Sequence, residues 1–120
     1  MIRGVVHNNQ PLISLAVGWN LSVQEIVALI DTGFSGELKV SPALASQLGL
    51  QTTHTEPVTL ADETTVNIPA SLAVVAMENT KDIVSVLVAQ GTPIIGVGLL
   101  KRFGYALNIN FKNDSLTLQK

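Results

Sequence analysis

A chain of 120 residues, 47% apolar and 13% charged with a net charge of −2, fits one domain large enough to bury a real core. Its seven basic residues are scattered, it has no cysteine, and its two histidines, His7 and His54, lie far apart in sequence. This composition argues against a nucleic-acid footprint, a disulfide framework and thiolate chemistry, and gives a histidine metal site or a Ser-His-Asp triad little support.

The elements follow in chain order. Ile2 to His7 reads as a short apolar strand, and Asn8-Asn9-Gln10-Pro11 as a turn. Leu12 to Val17 alternates apolar with small or polar residues, as a half-buried strand does. Gly18-Trp19-Asn20 reads as the next turn, and Val23 to Ile30 as a strand that runs into Asp31-Thr32-Gly33-Phe34-Ser35-Gly36. Ser41-Pro42 opens a short helix, with serine placed to cap and proline where a missing N–H costs little; Gly49 is its expected stop. Val58 to Ala61 and Thr64 to Ile68 form a hairpin around Asp62-Glu63. Leu72 to Met77 and Ile83 to Ala89 are further strands, divided by Glu78 to Asp82. After Pro93-Ile94-Ile95-Gly96, a second short helix spans Gly98 to Phe103 and stops at Gly104. Its Lys101-Arg102 pair is read as a helix end facing water. A last hairpin joins Tyr105–Phe111 to Leu116–Leu118. The sum is a mainly β domain with two helical turns.

The low share of charge is about half the globular average, which points to surface hidden in a partner, most simply a second copy of this chain. No basic-then-apolar leader pattern opens the chain, and no apolar run approaches the roughly 20 residues of a membrane helix. A soluble, cytoplasmic protein without nucleic-acid or membrane partners is therefore expected.

One motif carries chemistry. Ala28-Leu29-Ile30 is an apolar strand that delivers the carboxylate of Asp31 into a turn of small residues, Thr32-Gly33-Phe34-Ser35-Gly36. A bare Asp-Thr-Gly mostly marks a turn. Preceded by that strand, followed by Ser-Gly and paired with the later Ile94-Ile95-Gly96 and Leu99-Leu100, it resembles the single-lobe, retropepsin-like aspartic proteases in order and spacing from about Ile2 to Phe111.

The resemblance implies a closed β-barrel-like acid protease fold over residues 1–120, with two short helices, acting as a C2 homodimer. It implies an aspartic endopeptidase with Asp31 as the catalytic residue, without cofactor or metal, cutting an extended polypeptide held between cleft and flap. Two carboxylates are needed to share one proton, and the motif occurs once, so a twofold axis would bring two copies of Asp31 together. By the same resemblance, Thr32, Gly33, Ser35, Ile95 and Gly96 support the loop. In that family Thr32 is buried and bonded to the equivalent loop of the other half. Gly33 permits a backbone conformation and close approach that a Cβ would block.

The flap would span about 57–69, with Leu60, Ala61, Asp62, Glu63 and Thr64 at its tip against substrate. Strands within about 105–119 would form the dimer interface. Two departures from the family pattern stand out. Phe34 replaces an alanine or a hydroxyl, so it either shapes an apolar subsite or packs under the loop. The flap tip is charged and lacks glycine, which implies a stiffer or more open flap that disfavours acidic substrates. The alternative reading is a non-catalytic dimerisation or peptide-binding domain with the same fold.

Overall fold

The structure, a computed structural model, describes residues 1–20 and 22–120. Asn8 and Asn9 both take left-handed backbone, φ 50° and 63°, so a two-residue turn joins β1 (Ile2–His7) to β2 (Gln10–Trp19). Such turns match the right-handed twist of the paired strands, and asparagine tolerates the conformation. Gln10 and Pro11, expected in the turn, belong to the strand, as do Gly18 and Trp19 at its far end. β3 (Ser22–Ile30) pairs with β2 over all but its last residue, from Leu12↔Leu29 to Trp19↔Ser22.

Two short strands were not anticipated: β4 (Leu38–Val40) and β8 (Ile94–Ile95). Each is too short to show an alternating pattern. Both are set instead by long-range pairing, β8 lying parallel to β3 on one side and antiparallel to β4 on the other. Between β4 and β8 in the chain come α1 (Pro42–Gln47), β5 (His54–Thr59), β6 (Thr65–Met77) and β7 (Thr80–Val88). In α1 the Ser41 hydroxyl accepts from Leu44 N at 3.1 Å and Pro42 takes the first helical position, as expected; Leu48 is the C-cap and Gly49 follows at φ 71°. Thr80 to Asp82, expected outside the strands, open β7, because the turn needs only Glu78 and Asn79.

β6 is one strand of 13 residues rather than two, and it runs through Pro69. Proline lacks the N–H a central strand needs. Here it faces no second neighbour: β7 pairs only from Ala70 onward, while residues 65–69 pair with β5 alone. Pro69 thus marks where the β5–β6 hairpin leaves the rest of the sheet.

α2 (Val97–Phe103) follows β8 and ends on Gly104, whose φ of 74° lets its N–H close on Leu100 and Lys101 carbonyls. β9 (Ala106–Asn110) and β10 (Ser115–Gln119) complete the chain, with β10 held between β9 and β1.

The strand order is β5-β6-β7-β4-β8-β3-β2-β1-β10-β9, and a second contact, Ala16–Gly18 against Val74–Ala76, joins β2 to β6. That contact closes a ring of six strands: β6, β7, β4, β8, β3 and β2. Val17, Leu38, Val40, Val75, Val86 and Ile95 fill its interior at zero exposure, with Leu99 of α2 among them. Two arms leave the ring, the β5–β6 hairpin and the β1–β10–β9 sheet. Among the described residues no helix is long and apolar enough to cross a membrane.

Candidate active site

Asp31 leaves the C-terminal end of β3 with its backbone fixed before its side chain is considered. Its N–H donates to the Ile95 carbonyl at 2.9 Å, and Leu29 N donates to the Pro93 carbonyl at 2.9 Å. The chain then turns on itself, Phe34 N bonding the Asp31 carbonyl at 3.1 Å, and returns on the opposite side of β8 as β4. Three further bonds tie this loop to the start of α2: Gly96 N to the Glu37 carbonyl (3.1 Å), Val97 N to the Phe34 carbonyl (2.8 Å) and Gly98 N to the Gly36 carbonyl (3.0 Å). A carboxylate on such a loop cannot drift without breaking backbone hydrogen bonds.

Gly96 is what allows that approach. A Cβ there would stand 2.2 Å from the Gly36 carbonyl oxygen and 2.5 Å from that of Phe34. Ile95 is fully buried beneath. Gly33 has a different role from the one anticipated: its φ is not left-handed, and a Cβ would meet only Asp31 Oδ1, at 3.2 Å. Its N–H donates to that same oxygen at 2.8 Å, orienting the half-buried carboxylate. Thr32 is exposed in the single chain, and among the described residues its hydroxyl has no hydrogen bond. Ser35 is also exposed.

Phe34 packs into the loop and also borders a cleft. Its ring lies against Gly36, where a Cβ would come within 2.4 Å of Cζ, and against Gly96, so it packs into the loop. It also lines a cleft of about 340 Å³ that separates the loop from β5, together with Glu56, Val58, Ser85 and Leu87. The side of the hairpin that faces this cleft is the β5 segment 56–59. The tip residues Leu60, Ala61, Asp62, Glu63 and Thr64 are all exposed and do not line it. At that tip Asp62 Oδ1 accepts from Thr64 N (3.0 Å) and the Thr64 hydroxyl (2.6 Å), which holds the Asp62 carboxyl below its ordinary range. Glu63 takes φ 69° where a glycine would be relaxed.

A polar network under the cleft has no counterpart in the sequence reading. Arg102 does not simply face water. Its Nε and Nη2 bond the two oxygens of Glu37, and Nη1 reaches Asp82 at 3.1 Å. Both acids raise the pKa of its guanidinium, Glu37 foremost. Glu37 also accepts from Ser85 N at 3.2 Å, and the Ser85 hydroxyl donates to Glu56 at 2.6 Å. His54 sits exposed beside them, its Nδ1 bonded to the Thr53 hydroxyl. Among the described residues no three His, Asp or Glu side chains converge as a metal ion would require. Glu37 directly follows the motif, but its partners lie tens of residues away, so no local signal announced the network.

No family model matches the sequence, and no curated protein matches it significantly. Solved structures do. The chain superposes on EIAV protease complexed with the inhibitor HBY-793 with a TM-score of 0.65 at 15% identity, over 85% of this chain and 95% of that one. It superposes on a retropepsin-like aspartic protease from Rickettsia conorii with a TM-score of 0.61 at 19% identity, over 98% of this chain and 87% of that one. The likeness is one of fold.

Proposed function

Starting from a chain that carries the retropepsin-like fold, we propose an aspartic endopeptidase that works as a homodimer, with Asp31 of each copy forming the catalytic pair. The observation that carries the reading is the Asp31 carboxylate, oriented by Gly33 N, on a loop locked by backbone bonds and separated from a β-hairpin by a cleft. Two such carboxylates share one proton, so their pKa values belong to the pair. The unprotonated member takes a proton from water as the water oxygen attacks the peptide carbonyl, and the protonated member donates to the carbonyl oxygen. Collapse of the tetrahedral species breaks the C–N bond, and the leaving nitrogen takes up a proton. This chemistry needs no metal, and it favours mildly acidic pH. Phe34 offers the loop no side-chain donor, which moves the optimum upward. A soluble enzyme of the cytoplasm is the accompanying reading.

Dimerisation finds support in three places. Thr32 is exposed with no hydroxyl bond among the described residues, Val97 beside the loop is 42% exposed, and β9 is an open sheet edge. Of the two strands expected at the interface, β10 is paired on both sides within the chain and Leu116 and Leu118 are buried, so the free edge is that of β9. The second reading, a non-catalytic peptide-binding dimer, draws on the charged, glycine-free hairpin tip.

Digestion of a denatured protein substrate between about pH 3 and 8, beside the Asp31→Asn variant, separates the two. The variant is expected to lose at least about 10³-fold in rate while sedimenting as the wild type does. Equal cleavage by both forms, or a fully active monomer, overturns the proposal.

A further inference from the structure

The cleft is not uniformly apolar, and its charges are unevenly compensated. Each element that lines it contributes both kinds of residue: Phe34 and Glu37 from the loop, Val58 and Glu56 from β5, Leu87 and Ser85 from β7. Glu37 is committed: its side chain is 16% exposed, both oxygens are held by Arg102, and Ser85 N adds a third bond. Arg102 spends its remaining arm on Asp82. Glu56 is held more loosely. It accepts one neutral hydrogen bond, from the Ser85 hydroxyl, whose oxygen also lies 3.4 Å from His54 Nε2; that nitrogen stands 3.9 Å from Glu56 Oε2, an ion pair only with a protonated imidazole and too far for a direct hydrogen bond. A carboxylate offers about four acceptor sites, so most of the capacity of Glu56 remains free at the cleft wall.

We propose that this cleft is a subsite for a basic substrate side chain, lysine or arginine, and that Glu56 is the residue that selects it. The inference rests on the peptidase reading above and deepens it. A long basic side chain suits this mixed lining. Its methylenes pack on Phe34, Val58 and Leu87, and its charged end meets Glu56. A volume of about 340 Å³ is at the small end for ligand clefts, room for one extended side chain. An acidic side chain would instead meet a carboxylate that no arginine or lysine pairs. The extended polypeptide expected from the family likeness therefore gains one basic position.

The test is a peptide series identical except at one scanned position, which carries lysine, norleucine or glutamate. Norleucine keeps the stem and removes the charge. Wild-type enzyme is expected to show kcat/KM for lysine about 10- to 100-fold above norleucine at one position, the range for a charge-assisted hydrogen bond. In Glu56→Gln, which keeps the shape and an acceptor for Ser85, that ratio collapses towards one; in Glu56→Lys the preference passes to glutamate. The same peptides are titrated against Asp31→Asn protein and against Asp31→Asn/Glu56→Gln, so that binding is read without turnover. Tighter lysine binding that vanishes with Glu56→Gln supports the subsite even where no peptide is cut, a result that would count against the peptidase reading alone. Equal handling of lysine and norleucine at every position, in cleavage or in binding, overturns it, as does a lysine preference that survives Glu56→Gln.

Discussion

The two arms that leave the six-stranded ring end the sheet at opposite edges, and the edges are built differently. β5, the outer strand of the hairpin arm, carries His54, Glu56 and Pro57 in six residues. Charge and proline are the usual guards against edge-to-edge association. β9, the outer strand of the other arm, reads Ala106-Leu107-Asn108-Ile109-Asn110, with no charge and no proline, and an exposed Phe111 follows it. An unguarded edge is a template for pairing. The arms also differ beneath the surface: Leu116 and Leu118 of β10 are buried in the main core, whereas no residue of β5 is buried. One arm belongs to the folded unit and offers an edge; the other is held by little and covers the cleft.

The largest expected effect tests that difference in burial. Leu118→Ala is expected to cost about 2–5 kcal/mol of global stability in urea unfolding. Val58→Ala, on the half-buried face of β5, is expected to cost less than about 1 kcal/mol. Similar losses from both would erase the distinction between the arms. Next comes the edge. Asn108→Lys places like charges across a β9–β9 contact, and the dimer dissociation constant measured by sedimentation is expected to rise about 100-fold, with peptide cleavage falling in step. Thr55→Lys on β5 is expected to leave both unchanged. A dimer indifferent to Asn108→Lys would place the interface elsewhere. Deleting everything after Phe111 is a poor substitute, because it removes core residues as well as an interface.

What the sequence disclosed was local. Ser41-Pro42 announced a helix, Gly104 ended one, and the strand before Asp31 led into its turn, because each signal lies within a few residues of its effect. Strands β4 and β8 were invisible because two or three residues show no period, and their pairings join segments far apart in the chain. Glu37 meets Arg102 across 65 positions, so the ion pair under the cleft had no local trace, and a helix-end arginine looked solvated. The separate strands expected over Thr64–Ile68 and Leu72–Met77 prove to be one, because β6 runs through Pro69 where one neighbour is missing. At the candidate site, the turn that follows the strand before Asp31 was legible from the motif. The cleft face of the hairpin was not, since the tip was the conspicuous part of the segment and the wall-forming residues, Glu56 to Thr59, were ordinary strand.

The solitary tyrosine reports on the core-anchored arm. Burial, then the hydrogen bond its hydroxyl donates to Glu78 at 2.6 Å, pushes the Tyr105 phenol up to about 12. Because the folded pKa lies above the unfolded value of about 10, the associated stability is fully present below about pH 10 and is lost as pH rises through about 12. With one tyrosine in the chain, ultraviolet titration of the phenolate follows this residue alone. A midpoint near 10 in the folded protein would show that the arm does not hold the ring as described.

The smallest effects come from matched turns, one in each arm. Glu63 at the hairpin tip and Asp114 in the β9–β10 turn both sit in left-handed backbone, at φ 69° and 56°. Glycine at either position removes a strain of roughly 1–2 kcal/mol but restores freedom to the unfolded chain, leaving a net gain under about 1 kcal/mol. Where that gain appears depends on the arm. Asp114 lies in a hairpin that unfolds with the core, so Asp114→Gly is expected to raise the global urea midpoint slightly. Glu63 lies in a segment able to open by itself, so Glu63→Gly is expected to leave that midpoint in place and to slow only the exchange of the Leu60 and Thr64 amides, which close the tip turn. A shift of the global midpoint by Glu63→Gly equal to that of Asp114→Gly would mean that the hairpin over the cleft folds and unfolds with the ring.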